Sequence, residues 1–127
     1  MRLLRVTTLL LAVAVQPLVA GDSPFLRIEQ HTQKGQLHLV GRNVAQSPVV
    51  GYVVVAERDG KRTVFTGVYT AGDSLAVSKS VDLGTIPPAS AEGPSRIFVD
   101  FVRLADGTMW GGATTDQAKE IAARFRQ

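Results

Sequence analysis

The sequence predicts an antiparallel β-sandwich that ends in a short helix. Apolar residues recur along residues 25–111 in short alternating or continuous segments, rich in β-branched side chains and separated by glycine-containing turns. Helical spacing of apolar residues is confined to residues 114–127. Because no helical pattern lies between the strands, a fold of alternating strands and helices is excluded.

The first predicted unit is a β-hairpin. Leu26 and Ile28 alternate with charged neighbours in residues 25–30, and the alternation resumes in residues 36–40. Lys34-Gly35 between these two segments is a turn signal.

The most apolar segment, residues 48–58, predicts a central strand that is covered on both faces. Asp59-Gly60 predicts a tight hairpin turn into a returning strand at residues 62–69. A weaker strand is predicted over residues 75–83, and the proline- and glycine-rich residues 84–95 predict a loop that crosses between strands.

A second strong strand is predicted over residues 96–104. Its alternation assigns two faces, with Ile97, Val99 and Phe101 on one and Phe98, Asp100 and Val102 on the other. Asp106-Gly107 predicts a hairpin turn with positive φ at both central residues, followed by a return strand, residues 108–111, that carries Trp110.

The last segment predicts an amphipathic helix with one apolar stripe, formed by Ala118, Ile121, Ala122 and Phe125. Thr114, three residues before Gln117, has the spacing of a capping box. A helix this short is marginal alone, so we expect it to pack on the sheet.

A second apolar face is predicted outside the core between the sheets. Its members are Phe98, Val102, Tyr52 and Val54. Such a face needs a cover, which is either the helix or another protein.

About seven strands with frequent turn signals favour the immunoglobulin-like or fibronectin-III-like class of sandwich. The spaced cysteine–tryptophan–cysteine pattern of antibody domains is missing, so the prediction extends only to the broad class. The predicted organisation is a signal peptide at residues 1–20, a sandwich domain at 21–113 and a C-terminal amphipathic helix at 114–127.

The first twenty residues have the layout of a secretory signal peptide. Arg2 and Arg5 precede an apolar core at residues 6–15, and Ala20 supplies a small residue for cleavage. The core is shorter than the roughly 20 residues that a membrane-spanning helix needs. We therefore expect a secreted or periplasmic protein with no transmembrane segment after cleavage.

Composition narrows the functional classes. The formal charge is +3, but Arg2 and Arg5 leave with the predicted signal peptide, so the mature chain is close to neutral. Its charges alternate in sign, which argues against nucleic-acid binding. The sequence has no cysteine. This excludes disulfides, a thiol nucleophile and a lipidated cysteine, and it favours a bacterial envelope protein over an animal ectodomain.

Two histidines form the sharpest candidate site. If Lys34-Gly35 is a two-residue turn, His31 lies directly opposite His38, with Glu29 on the same face. Two histidines and a carboxylate are ligands for a transition metal. The alternative is that these residues form the solvated face of a hairpin, and we favour it.

Two further polar residues interrupt apolar sequence. Asp100 suggests either a catalytic acid or base or, as we favour, a carboxylate paired with an arginine such as Arg42 or Arg103. Asn43 is expected to satisfy backbone groups at a turn or strand end. No sequence motif for a nucleophile, metalloprotease or phosphate-binding loop is present.

The sequence therefore predicts a non-enzymatic binding protein without a cofactor, which contacts a protein or another component of the cell envelope. The candidate contact residues are Trp110, Tyr52, Phe98 and Val102, and the hairpin at residues 106–110 is a second candidate. One alternative is a carbohydrate-binding module that uses Trp110 with Tyr52 or Tyr69. The other is a metal-binding protein or metalloenzyme built on His31, His38 and Glu29.

Two segments carry a family resemblance. LVGRNVAQSPVVGYVV, residues 39–54, resembles the strand–Asn–loop–strand element of bacterial extracytoplasmic immunoglobulin-like modules of the CARDB and FxLYD kind. VDFVRLADGTMWG, residues 99–111, is similar to a strand–Asp-Gly–Trp-Gly ending in uncharacterised bacterial proteins that carry signal peptides. The resemblance implies an adhesion, assembly or scaffolding module and transfers no functional residue.

Overall fold

In the part of the chain that the structure describes, seven strands form two antiparallel sheets that pack face to face, and a helix covers the outer side of one sheet. The computed structural model describes residues 23–86 and 95–126. The predicted all-β sandwich with a C-terminal helix is confirmed. The predicted signal peptide, and residues 87–94 of the predicted loop, lie outside the described residues.

The first sheet has the strand order β1-β2-β5 and the second has the order β4-β3-β6-β7. The strands of the first sheet are β1 (Leu26–Gln33), β2 (Gln36–Asn43) and β5 (Ser80–Ile86). Those of the second are β3 (Val49–Arg58), β4 (Lys61–Val68), β6 (Ser95–Leu104) and β7 (Met109–Trp110). The helix, α1, spans Asp116–Phe125.

Two of the three predicted hairpin turns have the expected geometry. Lys34-Gly35 and Asp59-Gly60 each have positive φ at both central residues, 51° and 79° in the first and 51° and 81° in the second. The third differs, because only Gly107 has positive φ, at 99°. The Gly107 N–H donates to Leu104 O at 3.0 Å. Asp106 does not adopt the predicted positive φ. It stabilises the turn through its side chain, because its carboxylate accepts from Thr108 N–H.

The strand predicted over residues 75–83 begins later than expected, at Ser80. Leu75 instead forms a two-hydrogen-bond bridge to Val49, at 2.8 and 2.9 Å. A turn then follows in which Lys79 N–H donates to Ala76 O and Ser78 has a φ of 69°. Positive φ is uncommon for serine, so Ser78 does not mark a turn in the sequence. The apolar pattern alone therefore predicts a continuous strand here.

A bulge in β6 divides the apolar residues between two cores. The register between β3 and β6 shifts at Asp100, so the alternation of β6 changes phase there. The predicted composition of the second apolar face is therefore wrong, because Tyr52, Val54 and Val102 lie in the core between the sheets. The face beneath the helix is formed instead by Val53, Val55, Phe98 and Phe101.

The apolar stripe of α1 packs on that second face, as predicted. Ala118, Ile121 and Ala122 are buried. The half-buried Phe125 ring stacks on Phe101, with centroids 6.3 Å apart and planes inclined by 24°. A Cβ at position 51 would lie 2.7 Å from the Phe125 ring, so Gly51 gives the ring its place on β3.

Phe125→Ala is expected to lower the free energy of unfolding by about 2 kcal/mol, less than the loss for a fully buried ring, because Phe125 is half-buried. Chemical denaturation measures the change, and the exposed Lys119→Ala on the same helix is the matched control. If the two variants were equally stable, the packing of the Phe125 ring on the sheet would not contribute to the free energy of unfolding.

Candidate functional site

The histidine register is as predicted, with His31 directly opposite His38. His38 Nε2 lies 2.8 Å from Asp82 Oδ1 on β5, and His31 is exposed. Glu29 pairs with Val40 on the same outer face of the sheet. Within residues 23–86 and 95–126, no group of three histidine, cysteine or acidic side chains is arranged to hold a metal ion.

Asp100 is buried, at 2% exposure, and its partners differ from the predicted arginines. Each carboxylate oxygen accepts two hydrogen bonds from one threonine, Oδ1 from the N–H and hydroxyl of Thr114 and Oδ2 from those of Thr115, all at 2.8–2.9 Å. Asp100 O also accepts from Ala113 N–H at 2.9 Å. The prediction of Arg42 or Arg103 as the partner was wrong because the β6 bulge turns this residue towards the segment that precedes α1.

These contacts fix the start of the helix. Thr115, rather than the predicted Thr114, is the N-cap, and its hydroxyl accepts from Ala118 N–H while it donates to Asp100. Gly111 has a φ of 119°, and a Cβ there would lie 2.4 Å from Asp100 O. The chain therefore reaches Asp100 only with glycine at position 111.

The electrostatics of Asp100 favour anchoring over proton transfer. Burial raises the pKa of Asp100, but the hydrogen bonds from Thr114 and Thr115 outweigh this effect and hold the pKa below its ordinary value. The carboxyl is therefore ionised at neutral pH, and its oxygens are occupied by donors of the chain itself.

The predicted contact residues lie on opposite faces of the second sheet, Tyr52, Val102 and Trp110 on the inner face and Phe98 on the helix side. Tyr52 and Val102 are buried, at 6% and 0% exposure, so neither can reach a partner while the fold is intact. Phe98 is half-buried on the helix side, beneath the Arg96 guanidinium at 4.2 Å from the ring centroid. Trp110 is partly buried against the inter-sheet core, as favoured for it.

Asn43 organises the loops at one end of the sandwich, in agreement with its predicted role. Its side-chain nitrogen donates to Ser47 O at 3.1 Å and to Leu75 O at 2.9 Å, and Oδ1 accepts from Ala45 N–H at 2.8 Å. Its main chain bonds Ser78 N–H and Lys79 O. One fully buried side chain thus connects the β2–β3 and β4–β5 loops.

We call this the Asn43 end: the loops 44–48, 69–79 and 105–108, with the strand ends beside them. Ala105 N–H donates to Pro48 O at 2.8 Å, which connects the third loop to the first. The large apolar side chains that the described residues leave exposed all lie here. They are Val44, Val68, Val77 and Met109, at 37%, 41%, 40% and 40% exposure. Sequence reasoning missed them because isolated valines and methionines resemble core residues.

The opposite end of the sandwich is charged. Glu57 accepts from Arg62 Nη2 at 2.7 Å and lies 3.9 Å from Arg96 Nε. The tight turn at Asp59-Gly60 follows β3 at this end. The two ends therefore differ in the chemistry that they present to solvent.

The chain matches no protein-family model, and comparison with curated proteins and with solved structures finds no similar one. Among the described residues, no helix has the length and apolar character that a membrane-spanning segment needs.

Asp100→Asn is expected to lower the free energy of unfolding at pH 7 by about 2 kcal/mol, because the amide cannot accept from all four donors. A depressed folded-state pKa stabilises the fold above the ordinary aspartate pKa of about 3.9, and this contribution disappears as the pH falls through the folded-state value. Denaturation at a series of pH values should therefore show the variant and the wild type converging below pH of about 4. If the stability curves of the two proteins stayed parallel at all pH values, Asp100 would not be the ionised, hydrogen-bonded anchor of α1.

Asn43→Ala is expected to cost about 2 kcal/mol, because the buried Ala45 N–H loses its acceptor, while Ser47 O and Leu75 O each lose one donor. Gln46→Ala, an exposed residue of the same loop, is the control and should change stability by less than about 0.5 kcal/mol. Amide hydrogen exchange at Ala45 measures the local effect, and unchanged protection in Asn43→Ala would show that the loops are held by other contacts.

Proposed function

We propose that the protein is a non-enzymatic binding module, secreted or periplasmic, that contacts a protein of the cell envelope through the Asn43 end. The observation that carries this proposal is that the large apolar side chains exposed in the described part of the chain, Val44, Val68, Val77 and Met109, all lie at one end of the sandwich. Loops at the ends of a sandwich are common contact surfaces, because the sheets hold them in fixed positions.

The loops of this end are held firmly. Asn43 connects two of them, and the third is hydrogen-bonded to Pro48. Ser78, beside the exposed Val77, is held in a conformation that serine rarely adopts. Apolar side chains on such a fixed support lose little conformational freedom when a partner binds, which favours affinity.

Three of the polar residues that stand out in the sequence have structural partners. Asp100 is ionised and anchors the helix, Asn43 anchors the loops, and His38 pairs with Asp82 on a solvated sheet face. These roles support a binding protein over an enzyme.

The carbohydrate alternative gains no support from the aromatic residues. The Tyr52 and Tyr69 rings are inclined to each other by 55°, with centroids 6.4 Å apart. Tyr52 is buried, and Trp110 packs partly against the core, so they do not form a common exposed plane for a sugar ring.

We also assign the sandwich to the immunoglobulin-like or fibronectin-III-like class. Support comes from the seven strands of residues 23–86 and 95–126, which form two antiparallel sheets. β5 returns to the sheet of β1 and β2 after β3 and β4 have joined the other sheet. The export signal and the likeness of residues 39–54 and 99–111 to bacterial extracytoplasmic modules remain predictions from sequence.

The test is capture of a partner from envelope extract by the tagged protein, followed by titration of the purified partner. Val77→Asp and Val44→Asp should each weaken binding by about 1–3 kcal/mol without lowering the midpoint of thermal unfolding. Gln30→Asp, at an exposed position of β1 outside the Asn43 end, is the control and should bind normally. Equal binding by all three variants would place the contact elsewhere, and a partner that requires Trp110 and is displaced by a sugar would favour the carbohydrate alternative.

A further inference from the structure

The outer edge of β4 is the least protected sheet edge in the described part of the chain. In β1, Arg27, Glu29 and His31 bring charged or titratable side chains along the edge. β5 carries Asp82 and a register shift, and β7 has only two residues. The edge of β6 that β7 leaves open carries Arg96. Charge, irregularity and short length are the usual features that stop a sheet edge from pairing with another chain.

β4 has none of these features beyond its first two residues. It is eight residues long, and its register with β3 is continuous from Lys61 to Val68. Residues 63–68 contain no charge and no proline, and five of the six are threonine, valine or phenylalanine with high strand propensity. This edge is therefore suited to accept another strand.

The register shows which main-chain groups are available. A two-residue hairpin closes on a hydrogen-bonded pair, here Arg58 and Lys61, and hydrogen-bonded pairs recur at every second residue. Continuing this alternation to the other end of the pairing predicts a hydrogen-bonded pair of Val50 and Tyr69, and Tyr69 N–H does donate to Val50 O at 3.0 Å. The outward-facing groups thus belong to Arg62, Val64, Thr66 and Val68, which have no backbone partner among the described residues.

We infer that a second copy of this chain pairs with this edge, antiparallel and across a two-fold axis at Phe65. In this register Val64 lies opposite Thr66 of the second copy, and Arg62 lies opposite Val68 of the second copy. It is the register that pairs all four outward residues within β4, with about eight new hydrogen bonds. No two basic side chains face each other.

Self-complementarity favours a second copy over an unrelated strand. A two-fold interface needs a patch that matches itself, and β4 is apolar or hydroxylated around its centre with basic residues at one end only. The pairing covers part of the exposed Val68 with the aliphatic part of Arg62, and it places two Phe65 rings side by side. This inference rests on the open edge of β4 and not on the proposed partner at the Asn43 end, although Val68 belongs to both surfaces.

Sedimentation velocity of the purified protein, from about 10 µM to about 1 mM, tests the dimer. Thr66→Lys places like charges beside the axis and should raise the dissociation constant by about tenfold or more. Thr66→Pro removes an outward N–H while it leaves the bonds to β3 in place, and it should do the same. Thr66→Ser is the control and should dimerise normally.

Single cysteines test the register, because the natural sequence contains none. Cysteines at position 65 would have Cα atoms about 4.5 Å apart across the axis, within the range for a disulfide. Phe65→Cys should therefore form a covalent dimer on mild oxidation. Thr63→Cys, on the same face, should not, because its two copies would lie about 13 Å apart.

Hydrogen exchange provides a readout without mutation. Protection of the Val64, Thr66 and Val68 amides should rise with protein concentration, while that of Ile28 and Gln30 on the β1 edge should not. A wild type that is monomeric at about 1 mM would overturn the inference, as would a dimer that persists in Thr66→Lys. Equal cross-linking at positions 63 and 65 would overturn the register.

Discussion

The bulge at Asp100 is the constraint on which the arrangement of this molecule depends. One extra residue in β6 redirects a carboxylate from the sheet to the segment before α1, where two threonines surround it with four hydrogen bonds. The same bulge changes the alternation of β6, so that Phe101 lies beneath the helix while Val102 returns to the inter-sheet core. A single local irregularity thus creates the second apolar face and also holds its cover in place.

Features that depend on local periodicity were predictable from the sequence. The two-residue turns, the pairing of His31 with His38 and the apolar stripe of α1 follow from alternation, from turn residues and from helical spacing. The bulge was not predictable, because alternation assumes that a strand has no extra residue. Phe101 was therefore assigned to the wrong face, and Asp100 was given an arginine partner in place of Thr114 and Thr115.

The candidate site shows the same division. Asn43 could be identified as a backbone-satisfying residue, because an amide after a strand commonly bonds nearby main chain. Its bond to Leu75, thirty-two residues away, depends on loops that meet only in the folded chain. Exposure of Val44, Val77 and Met109 is likewise a tertiary property. A valine in a loop has no local sequence feature that distinguishes a core residue from a contact residue, so the Asn43 end became visible only from the structure.

The two proposed interaction surfaces have a geometric relation that limits how they could work together. Antiparallel pairing of β4 reverses the direction of one copy, so the two Asn43 ends would point away from each other. Val68 lies on both surfaces, and a dimer would leave Val44, Val77 and Met109 as the exposed apolar group of each end. Such a dimer could bridge two separate partners, but it could not place both ends on one flat surface. Simultaneous engagement raises apparent affinity only where geometry permits it, so this arrangement favours cross-linking over tighter attachment to one partner.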